Sequence, residues 1–218
     1  MNGDLYSDLL ISALFSSPYA RSGAGIVYVV YGGLQPFCGN ISDLSVADGL
    51  RILGENSSSH LGQSMSAGFD VNNDGNDDFL LTAPMYSEGV IRPSCGAMYM
   101  YYGGASSVLE IDLLHPPANL IGKVIGAVTN EAFGWSVAHQ GRNSDAFIVA
   151  SQRNVYLFLA STLMLNATTF DAEMDSVMCL SGTVVPYYVA SSGDVSGDLV
   201  NDYVICTPFY NAGIGRSR

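Results

Sequence analysis

The sequence has few basic residues and no long apolar run, and both absences exclude classes of function. Lysine and arginine together number 8 against 20 aspartates and glutamates, which gives a formal net charge of −12. A chain this acidic repels the phosphates of nucleic acids and of anionic lipids, so we expect neither as a partner. No apolar stretch approaches the roughly 20 residues of a membrane-spanning helix, so we expect no direct membrane insertion. The charge instead suits a protein that binds cations.

The sequence also lacks clustered ligands and nucleophiles. The four cysteines (Cys38, Cys95, Cys179 and Cys206) are far apart and form no C-x-x-C pair, which argues against a zinc ribbon or a thioredoxin-like site. The three histidines are scattered without zinc-ligand spacing. We therefore predict no catalytic residues and no enzyme activity. Cys206 lies in an apolar run and is expected to be a buried thiol, whereas a disulfide between Cys38 and Cys95 stays open.

The chain is rich in glycine, tyrosine and short apolar runs. It contains 24 glycines and 13 tyrosines, and 48% of its residues are hydrophobic. This composition favours many short strands joined by tight turns over a helical bundle.

One sequence phrase occurs four times, and internal repetition of this kind decides the fold. Each copy opens with an aspartate, a short apolar run and a small residue, at 8–13, 78–83, 145–150 and 202–207. In the first three copies a tyrosine-rich run follows, at 26–33, 97–104 and 155–158. Each unit predicts a small antiparallel sheet with two apolar faces, and radial stacking of such sheets is the β-propeller solution. We therefore predict an all-β, partial propeller of about four blades, with a truncated first unit (1–50), a second (51–118), a third (119–172) and a truncated fourth (173–218). The stretches around 105–120 and 160–175 are expected to be blade connections or outer strands.

The second unit carries a loop of oxygen-bearing side chains between its first two strands. Asp70, Asn72 and Asp74 alternate and Asp78 closes the loop, a spacing that lets their oxygens converge on a hard cation such as Ca²⁺. Asn76 is expected to offer its main-chain carbonyl. An EF-hand has a similar opening, but it needs a glutamate at the twelfth loop position and flanking helices, and both are missing from this pattern.

Two other units carry versions of this loop. The predicted ligands are Asp194, Ser196, Asp198, Val200 (main-chain carbonyl) and Asp202 in the fourth unit, and Asn2, Asp4, Tyr6 (main-chain carbonyl) and Asp8 in the first. The fourth loop has Leu199 where the second has Gly75, and the first loop begins without its first ligand. The third loop (141–145) is short and contains Arg142, so we predict no ion there. Acidic turns can be merely solvated hairpin tips, but the recurrence at one place in separate repeats favours structural Ca²⁺, at two sites and a truncated third.

These features together resemble the FG-GAP repeats of integrin α-subunit propellers. The resemblance lies in Leu61-Gly62 and Phe133-Gly134, in the 70–78 loop, and in the strand ends at 82–84 and 206–208. It implies a seven-bladed, calcium-binding propeller of which this chain is a fragment, a cell-surface location, and adhesion to a protein ligand together with an integrin-β-like subunit.

Three N-glycosylation sequons, at Asn40, Asn56 and Asn166, agree with an extracellular location. Two alternative functions stay open. One is an accessory propeller of a secreted enzyme, such as glycosylphosphatidylinositol-specific phospholipase D, and the other is a carbohydrate-binding propeller.

Overall fold

The strands form four small sheets in a nearly all-β structure. The computed structural model describes residues 1–35, 37–104, 108–116, 121–141, 144–163, 169–171, 178–181, 188–207 and 216–217. In this part of the chain the helical elements are one four-residue α-helix, α1 (Ala160–Leu163), and two short 3₁₀ turns. The predicted all-β class and the small antiparallel sheets are confirmed.

Each sheet is built mainly from consecutive antiparallel strands. The first contains β1 (Leu9–Ala13), β2 (Ile26–Val30), β3 (Gly49–Leu53) and β7 (Glu110–Asp112), in that order. The second contains β4 (Met65–Phe69), β5 (Asp78–Ala83), β6 (Ala97–Tyr101), β8 (Ile121–Ile125) and β12 (Thr169–Asp171). The third contains β9 (Ser136–His139), β10 (Ala146–Ala150), β11 (Asn154–Leu159) and β13 (Met178–Ser181). The fourth contains β14 (Tyr188–Gly193), β15 (Asp202–Thr207) and β16 (Arg216–Ser217).

Two sheets receive their outermost strand from a later part of the chain. β7 lies between β6 and β8 of the second sheet in sequence but pairs in parallel with β3 of the first. β12 likewise lies between β11 and β13 of the third sheet in sequence and pairs in parallel with β8 of the second. The expectation of outer strands near 105–120 and 160–175 is therefore confirmed. These exchanged strands tie neighbouring sheets together, so the sheets do not coincide with the repeat units in sequence.

Three apolar cores hold the sheets face to face. The first and second sheets share a core that includes Val29, Leu50 and Tyr99. The second and third share Met98 and Phe147, among others, and a smaller cluster joins the third and fourth sheets. Alternate residues of each strand serve the two faces, so every internal sheet is apolar on both sides.

A glycine in the seam between sheets explains part of the repeat. The N–H of Phe133 donates to the Cys95 carbonyl at 2.9 Å, and the N–H of Leu61 donates to the Ala24 carbonyl at the same distance. Gly96, next to Cys95, has φ +87°, and a Cβ there would lie 2.1 Å from the Phe133 carbonyl oxygen. The backbones touch at this seam, so a side chain on Gly96 would separate the sheets.

The strand alignment of the third unit was predicted one residue out of register. The N–H of Gly134 donates to the Ala150 carbonyl, as that of Gly62 donates to Thr82. Ala150 is thus the counterpart of Thr82 and not of Ala83. The shift places Ala146, and not Asp145, at the position of Asp78. A one-residue slip turns every side chain to the other face, and only the shifted alignment directs Phe147 toward the preceding sheet, as its counterpart Phe79 is directed.

Candidate metal-binding loops

The second loop follows a distortion at the end of β4. The pairing of β4 with β5 shifts register between Ala67 and Phe69, a β-bulge that bends the strand before the loop. Phe69 is fully buried and anchors the loop base. The chain then leaves the sheet at Asp70 and returns at Asp78, the first residue of β5.

The side chains of this loop turn inward onto its own backbone. Asp70 accepts the N–H of Asp74 on Oδ1 at 3.1 Å and that of Gly75 on Oδ2 at 2.9 Å. Asn72 Oδ1 also accepts the Asp74 N–H, at 3.1 Å, and Asp74 Oδ1 accepts the N–H of Asn76 at 2.8 Å. Three of the predicted ligands therefore point their oxygens into the same turn.

Asp78 closes the loop from its buried side. Its carboxylate is fully buried and accepts the Val71 N–H at 2.8 Å and the Gly103 N–H at 2.7 Å. Burial raises the pKa of Asp78 to about 6, and the negative charges of Asp74 and Asp70 act in the same direction. An ionised Asp78 is therefore costly unless a positive charge approaches it.

Asp74 is solvent-facing and behaves in the opposite way. Slight desolvation acts to raise its pKa, but hydrogen bonds from the Asn76 main chain and from the Asn72 and Asn76 side chains outweigh it and lower the pKa. The loop thus combines one easily ionised carboxylate with one that resists ionisation.

The fourth loop repeats this arrangement with nearly the same distances. Asp194 accepts the N–H of Asp198 at 3.1 Å and that of Leu199 at 2.9 Å, and Asp202 accepts that of Val195 at 2.8 Å. Hydrogen bonds, that from Leu199 foremost, lower the pKa of Asp194. The loop also follows a register shift, between Ser191 and Gly193.

The remaining predicted ligands of the fourth loop lie in the same turn. Ser196 Oγ contacts Asp194 Oδ1 at 3.5 Å, and the N–H of Val200 donates to Asp198 Oδ1 at 2.9 Å.

The first loop reproduces the part that it contains. Asn2 Oδ1 accepts the Asp4 N–H at 3.2 Å, Asp4 Oδ1 accepts the Tyr6 N–H at 2.9 Å, and Asp8 Oδ1 accepts the Gly32 N–H at 2.9 Å. The hydrogen bond from Tyr6 lowers the pKa of Asp4. The main-chain nitrogen of Met1 lies 2.6 Å from Asp8 Oδ2.

All three loops place a residue with positive φ at the same point. The residue is Gly75 in the second loop (φ 90°), Leu5 in the first (φ 71°) and Leu199 in the fourth (φ 70°). The left-handed conformation that glycine adopts freely is thus kept in two loops at the expense of strain. The fourth loop, with Leu199 at the position that Gly75 takes in the second, therefore keeps the same turn geometry.

The hairpin of the third sheet is held differently. Gln140 Oε1 accepts the Ser144 hydroxyl at 2.6 Å, and Gln140 and Asn201 of the fourth loop exchange amide-to-carbonyl hydrogen bonds. The Asp145 carboxylate accepts the Ser161 hydroxyl at 2.5 Å. Arg142, which was the reason to expect no ion in this loop, and residue 143 lie outside the described residues.

The donor set of the second loop fits a hard cation. Its inward groups are carboxylate and amide oxygens, which Ca²⁺ prefers. Asp78 is a buried carboxylate, and among the described residues no lysine or arginine lies at hydrogen-bond distance from it. Across the part of the chain that the structure describes, no three His, Cys, Asp or Glu side chains converge as a metal cluster. A site here would therefore depend on Asn72 and main-chain oxygens as well as carboxylates.

Sequence reasoning missed the glycine amides that fix the closing carboxylates of the first and second loops. The N–H of Gly103 donates to Asp78 and the N–H of Gly32 donates to Asp8. Each glycine follows the tyrosine-rich strand of its own sheet. The repeated Tyr-Gly-Gly at 31–33 and 102–104 was the signal, interpreted in the sequence only as a strand end.

The two described sequons differ in accessibility. Asn40 is exposed and caps a 3₁₀ turn, whereas the Asn56 Nδ2, the atom that carries a glycan, donates to the Ser87 carbonyl at 2.8 Å. Asn166 lies outside the described residues.

Three of the cysteines are free thiols. Cys38 is exposed and Cys95 is fully buried, and the two do not form a disulfide. Cys206 is half-buried, less than its apolar neighbours predicted.

Comparison with known protein families identifies one of the repeats. Residues 61–109 match the family model of the FG-GAP repeat. This match begins at Leu61-Gly62 and includes the second loop with β4, β5 and β6. No helix among the described residues is long and apolar enough to cross a membrane.

Proposed function

We propose that the chain is a calcium-binding propeller region of an integrin-α-like cell-surface adhesion protein. The observation that carries this proposal is the recurrence of one hydrogen-bonded loop at the same place in three sheets, with the second copy inside an FG-GAP match. The acidic composition, the resemblance of the other units and the exposed sequon support the same conclusion.

Calcium would be held in the second loop by Asp70, Asn72, Asp74, Asp78 and the Asn76 carbonyl. When bound, the ion supplies the positive charge that offsets the repulsion among these carboxylates. The chain's own residues orient the oxygens, since Asp70 fixes the turn through two N–H groups and Asp78 is fixed by Val71 and Gly103. The ion's role is structural, because it joins the two strands of a hairpin, and we propose no enzyme activity.

Thermal unfolding with and without calcium tests the metal sites. One bound ion at ~100 times its Kd contributes about 2.7 kcal/mol, and each kcal/mol raises Tm by about 2–4 °C in a chain of this size. We expect calcium to raise Tm, Asp74→Ala to remove most of the second loop's share, and Asp145→Ala, in the third hairpin, to leave the rise intact. A melting curve that EDTA does not change would refute the metal sites.

Adhesion is tested separately with immobilised ligands. A protein ligand is expected to contact the face of the propeller on which the hairpin loops lie, together with an integrin-β-like subunit. We expect calcium-dependent binding to extracellular-matrix proteins and no binding on a glycan array. Binding to glycans instead would replace adhesion to protein with carbohydrate recognition.

Glycosylation tests the extracellular location. After secretion from a eukaryotic host, mass spectrometry is expected to find a glycan on Asn40 and none on Asn56, because the Asn56 amide is engaged by Ser87. An unmodified Asn40 would count against the location, and Asn40→Gln provides the control for mass.

A further inference from the structure

The first strand of the third sheet, β9, runs beside the first strand of the second sheet, β4. The N–H of Val137 donates to the Ser64 hydroxyl at 3.1 Å, and the N–H of His139 donates to the Ser66 hydroxyl at the same distance. Donors and acceptors advance together by two residues, so the two strands run in the same direction. β9 therefore ends, at His139, beside the part of β4 that leads into the second loop.

The His139 ring contacts the base of the second loop. It stacks on the Phe69 ring, with centroids 3.9 Å apart and planes inclined by 12°. Both side chains are buried, and Phe69 directly precedes Asp70. The Asp70 carboxylate in turn fixes the loop, because it accepts two of the loop's N–H groups. The stack thus restricts where the first predicted ligand of the loop can lie.

The His139 ring is itself fixed by its surroundings. Its Nδ1 accepts the Gly141 N–H at 3.0 Å, and its main chain is bound by Ser66. Burial lowers the pKa of His139 to about 4, so the ring is neutral near pH 7 and Nδ1 stays an acceptor. The third sheet therefore presents a ring of fixed orientation to Phe69.

The fourth loop has no aromatic ring at the corresponding position. Gly193 precedes Asp194 as Phe69 precedes Asp70. Glycine has no side chain on which a neighbouring ring could stack, although the hydrogen bonds inside the two loops have nearly the same lengths. Support of this kind therefore distinguishes the second loop from the fourth.

We propose that His139 of the third sheet is a positioning residue for the calcium site of the second loop. This inference rests on the proposed function, because it concerns the support of the same site. Calcium requires oxygens at about 2.3–2.6 Å, so an Asp70 that is less well held binds the ion less tightly. Residues that orient metal ligands typically contribute about 10–100-fold to metal affinity. By reciprocity, calcium in the second loop strengthens the contact between β4 and β9.

Isothermal titration of calcium into chains with one intact loop tests the proposal. Asp4→Ala with Asp198→Ala leaves the second loop as the intact predicted site, and Asp4→Ala with Asp74→Ala leaves the fourth. We expect His139→Ala to raise the Kd of the second loop about 10-fold and to leave the Kd of the fourth unchanged. His139→Phe, which keeps an aromatic ring against Phe69, is expected to retain most of the affinity.

Gln140→Ala is the matched control. Gln140 is the next residue of the same hairpin, but it binds Ser144 and Asn201 and not the base of the second loop. We expect it to leave the Kd of the second loop unchanged. An unchanged Kd in His139→Ala, or an equal loss of affinity in the fourth loop, would overturn the proposal. If the second loop bound no calcium even with His139 present, the proposed calcium site itself would be refuted.

Nuclear magnetic resonance of the unmodified chain provides a test that does not depend on a variant's folding. The ring protons of His139 lie against Phe69, so we expect their signals to shift when calcium is added. His60 is the internal control, because it packs edge-on against Phe15 and lies before β4, at the strand end opposite the loop. Its signals should stay in place. A His139 signal that does not move at saturating calcium would contradict the coupling between the stack and the site.

Discussion

The second and third sheets join their first two strands by hairpins at the same place, and different side chains hold the two. In the second, the carboxylates of Asp70 and Asp78 accept the N–H groups of the loop. In the third, Gln140 binds Ser144 and exchanges hydrogen bonds with Asn201 of the neighbouring loop. One hairpin gathers negative charge, whereas the other is held mainly by neutral amides and hydroxyls.

The ionisable residues near the two hairpins also differ, because burial shifts the pKa of an acid in one and of a base in the other. Burial raises the pKa of Asp78 to about 6 in the second, and burial lowers the pKa of His139 to about 4 at the start of the third. His139 stacks on Phe69 with ring centroids 3.9 Å apart, and its Nδ1 accepts the Gly141 N–H at 3.0 Å. The third hairpin is therefore built around a neutral side chain, whereas the second gathers carboxylates.

The largest expected effect is a pair of opposite pH profiles in calcium-free buffer. The folded-state pKa of Asp78 exceeds its ordinary 3.8, so the folded state holds more protons between pH 3.8 and about 6, and this contribution to stability falls as pH rises. The folded-state pKa of His139 is below its ordinary 6.5, so its contribution rises with pH between about 4 and 6.5. Shifts of ~2 pH units each correspond to at most about 3 kcal/mol.

Single variants should separate these two contributions. In the unmodified chain the two slopes largely cancel. We expect the urea midpoint of His139→Asn to fall as pH rises from 4 to 6, and that of Asp78→Asn to rise. If the urea midpoints of both variants changed in the same direction with pH, Asp78 and His139 would not make opposite contributions to stability.

The next effect concerns the neutral hairpin alone. Gln140→Ala removes side-chain hydrogen bonds to Ser144 and Asn201, and at about 0.5–1.5 kcal/mol each the loss should total about 1–3 kcal/mol. The loss should be the same with and without calcium, whereas Asn72→Ala in the second loop should cost more when calcium is present. Gln140→Glu keeps the acceptor for Ser144 and should be intermediate. A calcium-dependent loss in Gln140→Ala would contradict the assignment.

The local features of the loops could be predicted from the sequence. Spacing alone indicated that Asp70, Asn72, Asp74 and Asp78 belong to one turn, because these offsets lie within a single hairpin. The role of Gly103 could not be predicted, since it lies 25 residues from Asp78 in the chain and depends on the register between β5 and β6.

Register and strand exchange were the features beyond local reasoning. An aspartate followed by an apolar run fits two alignments one residue apart, so Asp145 was assigned to the place that Ala146 takes. The parallel pairing of β7 with β3 joins segments more than 50 residues apart, and no local pattern specifies it. Both features depend on which faces are buried, and sequence periodicity does not specify the partner of a face.

The smallest expected effect on stability concerns the fourth loop, compared with the second at the residue with positive φ. Leu199 is 94% exposed and has φ 70°, where Gly75 stands in the second loop. Leu199→Gly relieves a left-handed conformation that costs roughly 1–2 kcal/mol, partly offset by the greater freedom of glycine in the unfolded chain. We expect a gain of about 0.5–1 kcal/mol in urea unfolding, and a matching loss for Gly75→Leu. Val200→Gly, at an exposed neighbour without positive φ, should give no gain, and an equal gain there would show that the turn conformation is not the cause.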